Sequence, residues 1–510
     1  MKNYKCLFNH ELLIAGTSES PYQSYSDDIS DRYVEELIRE LKDTDVDVIM
    51  LCPTAWRRKL WYSEVERHWQ DAAPNIPEPS PGYDYKYYEK AYYRWRRYML
   101  KGKDPVELSV KTSHDIGKAV FASYRMNDNH YIWDESCPTH DAFWKEHPEF
   151  RINEGDVQWS GKGCLNYIHS EVREYYYSIL EELIANYDFD GLELDLMRNC
   201  CLFEKKDVKA GISIMTEFVE RIHNMLCTYS KKKGKYLPLC VRVPYKLDAC
   251  LESGLDIETW DKSGFVDMIN MSSHYVLDMH YEPEKFKQKI KNSKIYGEMH
   301  FIVSSGGLDN GFANNVSRKT GREMYRTAEY NLLFRGCDGL SFFNFDYARN
   351  HAMGEPRRAE IKDNEPPFKV LKNIAAETLK DEPKHYYERV DKVNYADIDF
   401  FVADNTKNTA FKKAIVKINT AEKLLHHNIK VFLNDIELCE TRWMGELFVP
   451  QSNEALPNAS YTRFYDVPLN AVIQGMNKAI LRNEKDRSCM LDITFAQFEM
   501  ALYTDKYLWE

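Results

Sequence analysis

Residues 189–198 read FDGLELDLMR, and the alternation in this stretch decides how the chain folds. Successive side chains of a strand point to opposite faces. Leu192, Leu194 and Leu196 therefore share one face, while Gly191, Glu193 and Asp195 share the other. The segment before it, REYYYSILEELIANYD, has the pattern of an amphipathic helix. A helix feeding an apolar strand indicates an α/β sheet buried on both faces. Two carboxylates in such an interior are costly unless they are paired or put to use.

Comparable runs recur on both sides: YKCLFNH (4–10), VDVIMLC (46–52), KAVFASYRMND (118–128), YLPLCVRVP (236–244), VDMINMSSH (266–274), KIYGEMHFIV (294–303) and DGLSFFNFD (338–346). Helical patterns such as SDRYVEELIRELKDTD and REMYRTAEYNLLFRG lie between them. With DGLELDLMR (190–198), eight strands alternate with helices, which predicts an α/β fold, a (β/α)8 TIM barrel, over residues 1–368. The rival, a doubly wound open sheet, lacks a GxGxxG or phosphate loop after its first strand. Long insertions at 53–117 and 129–165 follow strand C-termini, where barrels assemble their sites. Trp56, Trp61, His130 and Trp133 are the cleft-wall candidates they supply.

The pattern changes after GEPRRAEIKDNEPPF (354–368), a charged linker containing proline. The runs IDFFVAD, AIVKINT, IKVFLND, TRFYDVPL, NKAILRN and CMLDITFAQFEMALYT follow, separated by turns. They predict a second, all-β domain over 369–510, most simply a sandwich.

Composition narrows the function. Lys plus Arg number 68 and Asp plus Glu 80 in 510 residues, a net charge of −12. That balance disfavours a nucleic-acid or anionic-membrane partner. The 35 tyrosines and 10 tryptophans suit either sugar stacking or ordinary packing. MKNYKCLFNHELLIAG has neither the apolar run nor the cleavage site of a secretory signal, and no 18-residue apolar stretch suggests a membrane span. The 12 cysteines show no framework spacing, and adjacent Cys200 and Cys201 are poorly placed to bridge. Reduced thiols and a cytoplasmic location are expected.

Parity, extended from the opening stretch, nominates the barrel interior. It selects Ser123, Arg125 and Asn127 on strand three, and Arg242 on strand five. Asn270, Ser272 and His274 follow on strand six, Tyr296, Glu298 and His300 on strand seven, and Asn344 and Asp346 on strand eight. The later residues of each strand lie nearer the rim, which makes Asp195, Asn127, His274, Glu298 and Asp346 rim candidates; Glu193 and Arg125 should lie a layer deeper, placed to pair with one another. Asp128 has the wrong parity but sits at a strand end, so it is kept.

Acids converging from several strands fit glycoside hydrolysis. One carboxylic acid protonates the leaving oxygen, and a second acts as nucleophile or activates water. Asp195 and Glu298 are the expected pair, with Asp128 and Glu193 as further catalytic candidates. Trp56, Arg125, Asn127, His130, Arg198, Arg242, His274, Asn344 and Asp346 are expected to position a carbohydrate. His130, Asp128, Asp195, Glu298, His300 and His274 offer metal-type ligands, but no HExxH or HxH spacing organises them, and neither metal nor cofactor is expected.

HPEF (147–150) and LNYIHSEVREYYYSILEELIANYDFDGLELDLMR (165–198) resemble a block in bacterial glycosyl hydrolase-like barrels distantly related to family 10 xylanases. There it runs HPEW, a helix opening hPeVR, then YdvDGihlDd. VFASYRMNDNH, VRVP, GLDIETWDKSGFVDMI and DGLSFFNFD also look like blocks of that group. The resemblance implies a (β/α)8 fold and glycosidase-type activity, with an acid, here Asp195, ending strand four. The xylanase-like acid/base follows an Asn on that strand, and no Asn-Glu pair occurs on it here. A glycoside hydrolase acting on an oligo- or polysaccharide is the first reading. A carbohydrate-binding barrel without turnover, and a metal-dependent lyase or hydrolase, are the alternatives.

Overall fold

The computed structural model describes residues 2–16, 22, 28–67, 84–153, 161–198, 200–274, 276–304, 318–348, 366–407, 410–420, 422–424, 426–442, 446–448, 461–484 and 492–505. Most of the linker 354–368 lies outside them. Eight parallel strands close a barrel in chain order. They are β1 (Cys6–Glu11), β2 (Val48–Cys52), β3 (Ala119–Arg125), β4 (Gly191–Asp195), β5 (Leu239–Pro244), β6 (Met268–Ser272), β7 (Lys294–His300) and β8 (Gly339–Phe343). The connections include α1 (Asp31–Arg39), α2 (Pro105–Asp115), α3 (Ser170–Asn186), α4 (Val208–Lys233) and α5 (Arg322–Phe334). Local chemistry sets their ends. Asp104 accepts from the backbone of Val106 and Glu107 ahead of Pro105 to start α2, and Gly234, at φ 66°, ends α4.

The deep end of the barrel is filled by Leu7, Val48, Met50, Phe121, Cys240, Met268 and Tyr296. Two glycines make room for the large rings: a Cβ on Gly191 would lie 2.6 Å from the Phe121 ring, and one on Gly339 2.7 Å from that of Tyr296. Above this apolar plug the same inward-facing positions turn polar, toward the C-terminal ends of the strands.

Three expectations are corrected. Arg125 is level with Asp195 in the β3–β4 register, not a layer deeper, and Glu193 is level with Ser123. On β8 the inward residues are Ser341, which accepts from Asn270, and Phe343, whose ring lies 3.7 Å from the Arg242 guanidinium. Asn344 is thus out of phase, and it follows the strand in a left-handed turn (φ 52°). Several expected strand residues lie in loops: Asn127, Arg198, His274, Asn344 and Asp346 all fall beyond the strand ends.

The chain forms two compact units. One comprises residues 1–274, 282–298 and 337–357; the other comprises 275–281, 299–336 and 358–510. The second unit contains two antiparallel sheets. Its strands are β9 (Lys384–Val393), β10 (Tyr395–Val402), β11 (Phe411–Thr420), β12 (Asn428–Leu433), β13 (Ile436–Glu437), β14 (Cys439–Thr441), β15 (Thr462–Val467), β16 (Gly475–Glu484) and β17 (Thr494–Thr504). One sheet runs β9-β17-β11-β15-β14 and the other β10-β16-β12-β13. Alternate residues of β10 and β16 are buried, with Ile398, Phe400, Val416, Leu481 and Phe498 among a shared core. Among the described residues, no helix is long and apolar enough to cross a membrane.

Candidate active site

The centre of the barrel mouth is Arg242 on β5. Its Nη1 donates to Asp195 Oδ1 at 2.7 Å, its Nε to Glu298 Oε2 at 2.8 Å, and its Nη2 to Glu298 Oε1 at 2.8 Å. Nη2 also reaches Ser272 Oγ and the His274 carbonyl. Parity aims all of these inward, and adjacent strands bring them level: Asp195 pairs with Arg242, and Arg242 with Asn270. Burial works against the guanidinium's charge, yet Asp195 and Glu298 outweigh it and hold its pKa above the ordinary value. Asn270 Nδ2 adds a bond to Glu298 at 3.0 Å. Asp195 Oδ1 also accepts from the backbone N–H groups of Met197 and Arg198, which turns the chain sharply after β4.

Glu193 lies below this triad. It accepts from Ser123 Oγ at 2.7 Å, with Cys240 Sγ and Asn270 Nδ2 each at 3.5 Å. Burial, reinforced by the charges of Asp195 and Glu298, raises its pKa to about 7. The expected pairing with Arg125 is absent. Arg125 instead donates to Glu11 Oε2 at 2.5 Å and approaches Asp128 Oδ2 at 3.5 Å.

Asp128 opens a second constellation. Its Oδ1 accepts from the His130 backbone and lies 2.7 Å from His130 Nδ1. Arg198 Nη2 meets the other ring nitrogen, Nε2. A guanidinium can only donate, so Nε2 accepts and the ring proton sits on Nδ1, facing Asp128. Burial and Arg198 push the imidazole down to about 4, in keeping with a neutral ring. Burial would raise the Asp128 carboxyl, but His130, Arg125 and Arg198 overcome it and hold it well below the carboxylate range. The Trp56 indole stacks on His130 at 5.3 Å. Trp56, Tyr131, His274 and Asn344, each in a loop after a barrel strand, all adopt positive φ, a costly conformation that clusters at functional sites.

The structure therefore joins Asp195, Glu298, Arg242, Asn270 and Ser272 in one group, and Arg125, Asp128, His130, Arg198 and Trp56 in another. Arg198 links them through its backbone. Asn127 stands apart, stapling loops together through Leu165 and the Cys201 carbonyl. Asp346 also stands apart, 3.0 Å from His10 Nδ1. Glu11 and Asn9 were not foreseen. The sequence signal was the polar run FNHE ending the first strand. Among the described residues, no group of three or more His, Cys, Asp or Glu side chains is placed to hold a metal ion.

No family model matches the chain, and no curated protein matches it. Solved structures do. The PgaB (BpsB) glycoside hydrolase domain of Bordetella bronchiseptica is 11% identical, covering 72% of this chain and 99% of its own, at a TM-score of 0.39. An alpha-L-fucosidase GH29 of Bacteroides thetaiotaomicron is 12% identical, covering 97% and 93%, at 0.36. A family 18 N-acetylglucosaminidase of Paenibacillus barengoltzii is 9% identical, covering 67% and 95%, at 0.35. The barrel itself is defined by the strand order given above.

Proposed function

We propose that the chain is a glycoside hydrolase that cleaves an oligo- or polysaccharide through its barrel carboxylates. The observation that carries this reading is the convergence of Asp195, from β4, and Glu298, from β7, on one guanidinium at the C-terminal ends of the strands. Asp195 is the nucleophile or base. Glu193, raised to about 7, is the neighbouring carboxyl that holds a proton near neutral pH. The resemblance of residues 165–198 to barrels distantly related to family 10 xylanases supports the same class. Trp56, His130 and Arg198 offer an aromatic and hydrogen-bonding wall for the sugar.

One observation favours a second reading, a carbohydrate-binding barrel without turnover. Both oxygens of Glu298 are taken by Arg242, and Asp195 Oδ1 is taken by Arg242 and two backbone groups. A panel of aryl glycosides and oligosaccharides with product analysis separates the two. Hydrolysis that falls about 10²–10⁴-fold in Asp195→Asn supports the enzyme. Binding of a sugar with no product in any assay supports the second reading.

A further inference from the structure

Trp133, on the loop after β3, is 55% exposed, whereas the other described tryptophans, Trp56, Trp61, Trp95, Trp144 and Trp260, are buried. An aromatic ring left in water forgoes a large burial gain, so its place calls for a reason. What sets Trp133 apart is the row of rings that it ends. It meets Tyr131 edge-on with ring centroids 5.2 Å apart, and Tyr131 lies 6.1 Å from His130. Trp56, only 4% exposed, backs this row, 4.6 Å from Tyr131 and 5.3 Å from His130.

The inner end of the row is tied to the carboxylates. Arg198 donates its backbone N–H to Asp195 Oδ1 at 3.1 Å and its Nη2 to the His130 ring. The outer end is fixed by a pinned turn. Asp134 N–H donates to the Tyr131 carbonyl at 2.9 Å, and Nε2 of the buried His140 lies 3.0 Å from the Tyr131 and Asp134 carbonyls alike. Carbonyls only accept, so Nε2 carries the ring proton and clamps the turn. Ile132, between the two rings in sequence, is buried against Gly163, where a Cβ would come within 2.9 Å of it. Ile132 is thus the anchor, while Tyr131 is partly and Trp133 largely exposed.

A row one ring wide, leading from the carboxylates into water, suits a chain of pyranose units. The axial C–H face of a pyranose is apolar and stacks on an aromatic ring, while its hydroxyl groups stay hydrated. Rigid aromatic side chains supply that contact at low entropic cost, and a turn fixed beforehand lowers the cost further. Asp134, Glu135 and Ser136 follow Trp133, so polar and acidic side chains border the rings. Acids there disfavour an anionic bilayer, and a strip one ring wide is small for a protein partner. We infer that Tyr131 and Trp133 form a stacking platform for the pyranose units next to the one held at Asp195, which makes the substrate an oligosaccharide chain. This rests on the carbohydrate reading of the mouth but not on turnover.

The test compares wild type with Trp133→Ala and Trp133→Phe, at an exposed position that the fold can spare. Each is titrated calorimetrically with the disaccharides and hexasaccharides of the cello-, xylo-, malto- and chito- series. Vesicles of phosphatidylcholine and phosphatidylglycerol form a separate arm, and sedimentation follows self-association. Wild type is expected to bind at least one hexasaccharide tenfold or more tightly than the matching disaccharide. Trp133→Ala should erase that gain with an unchanged melting temperature, and Trp133→Phe should restore part of it. For a hexasaccharide that is hydrolysed, KM should rise tenfold or more in Trp133→Ala while kcat changes little. Equal hexasaccharide affinity in wild type and Trp133→Ala overturns the platform and leaves the hydrolase proposal standing. No binding of any saccharide by wild type also overturns it; the hydrolase survives only if aryl glycosides are still cleaved. Vesicle binding or self-association that is lost in Trp133→Ala overturns it in favour of a bilayer or a second copy. Trp133-dependent binding with no hydrolysis by wild type supports the platform and removes the hydrolase.

Discussion

Arg242 Nη1 and Asp195 Oδ1 stand 2.7 Å apart inside the barrel, both side chains no more than 2% exposed, with Glu298 on the other edge of the same guanidinium. Arg242→Met would leave two buried carboxylates facing each other without their counter-charge. Breaking a buried pair by removing one partner costs about 3–5 kcal/mol. Denaturant unfolding should show a loss of that order. Arg242→Lys, which keeps the charge but loses the fork, should fall between.

Glu193→Gln should reverse the usual sign for loss of a buried acid. The folded-state pKa of Glu193 is raised to about 7 from 4.5. A raised acid binds more protons folded than unfolded, so its contribution to stability declines as pH climbs from about 4.5 to 7. Glutamine imitates the protonated form and removes that decline. The variant should match wild type near pH 5 and exceed it above pH 7, by up to about 3 kcal/mol at 1.36 kcal/mol per pKa unit. Melting curves across pH 5–8 check this, and a variant less stable at pH 8 would contradict it.

Much of this site is legible in the sequence, for a physical reason. Strands β3 to β7 carry polar inward residues against apolar outward ones, so Arg125, Asp195, Arg242, Asn270 and Glu298 reveal themselves by period two. β8 does not. Leu340, Phe342 and Phe343 are apolar on both faces, so parity had no contrast to follow and settled on Asn344. The pairing of Arg125 was hidden for another reason. Which residue lies level with it depends on inter-strand register, which a single strand does not encode, and its partner Glu11 comes from β1, two strands away.

Arg125→Met should destabilise the protein by about 3–5 kcal/mol near neutral pH, because Glu11 and Asp128 both lose their buried counter-charge. The defect should shrink on acidification. Arg125 is one of the groups that hold the Asp128 carboxyl well below its ordinary value of 3.8, a contribution present above that pH and lost as pH falls further, so wild type loses the advantage on strong acidification. The melting-temperature gap near neutral pH should exceed that at about pH 3. An equal gap at both would mean that packing, and not charge, sets the loss.

Helix α5 decides how the chain can be cut. In chain order it lies between β7 and β8, but its side chains bind the segment that follows residue 368. Arg326 donates to the carbonyls of Lys369, Val370 and Lys372 at 3.0, 3.2 and 2.7 Å. Thr327 Oγ1 accepts from the His385 backbone at 2.7 Å, and Asn331 both donates to the Phe401 carbonyl and accepts from Ala403 N–H. Truncation after residue 368 would strip all of these partners at once, leaving Asn331 unsatisfied and Arg326 with Glu329 but without its carbonyl acceptors, at a cost of about 1–3 kcal/mol for each buried group left unbonded. A 1–368 fragment should therefore aggregate or be digested rapidly by protease, whatever the sandwich contributes to catalysis. Asn331→Ala in the full chain should show the same weakness in milder form, losing about 1–3 kcal/mol. Limited proteolysis with mass spectrometry would then find its first new cuts in α5 and around residues 401–403. A soluble, protease-resistant 1–368 fragment would show instead that α5 is held without the sandwich.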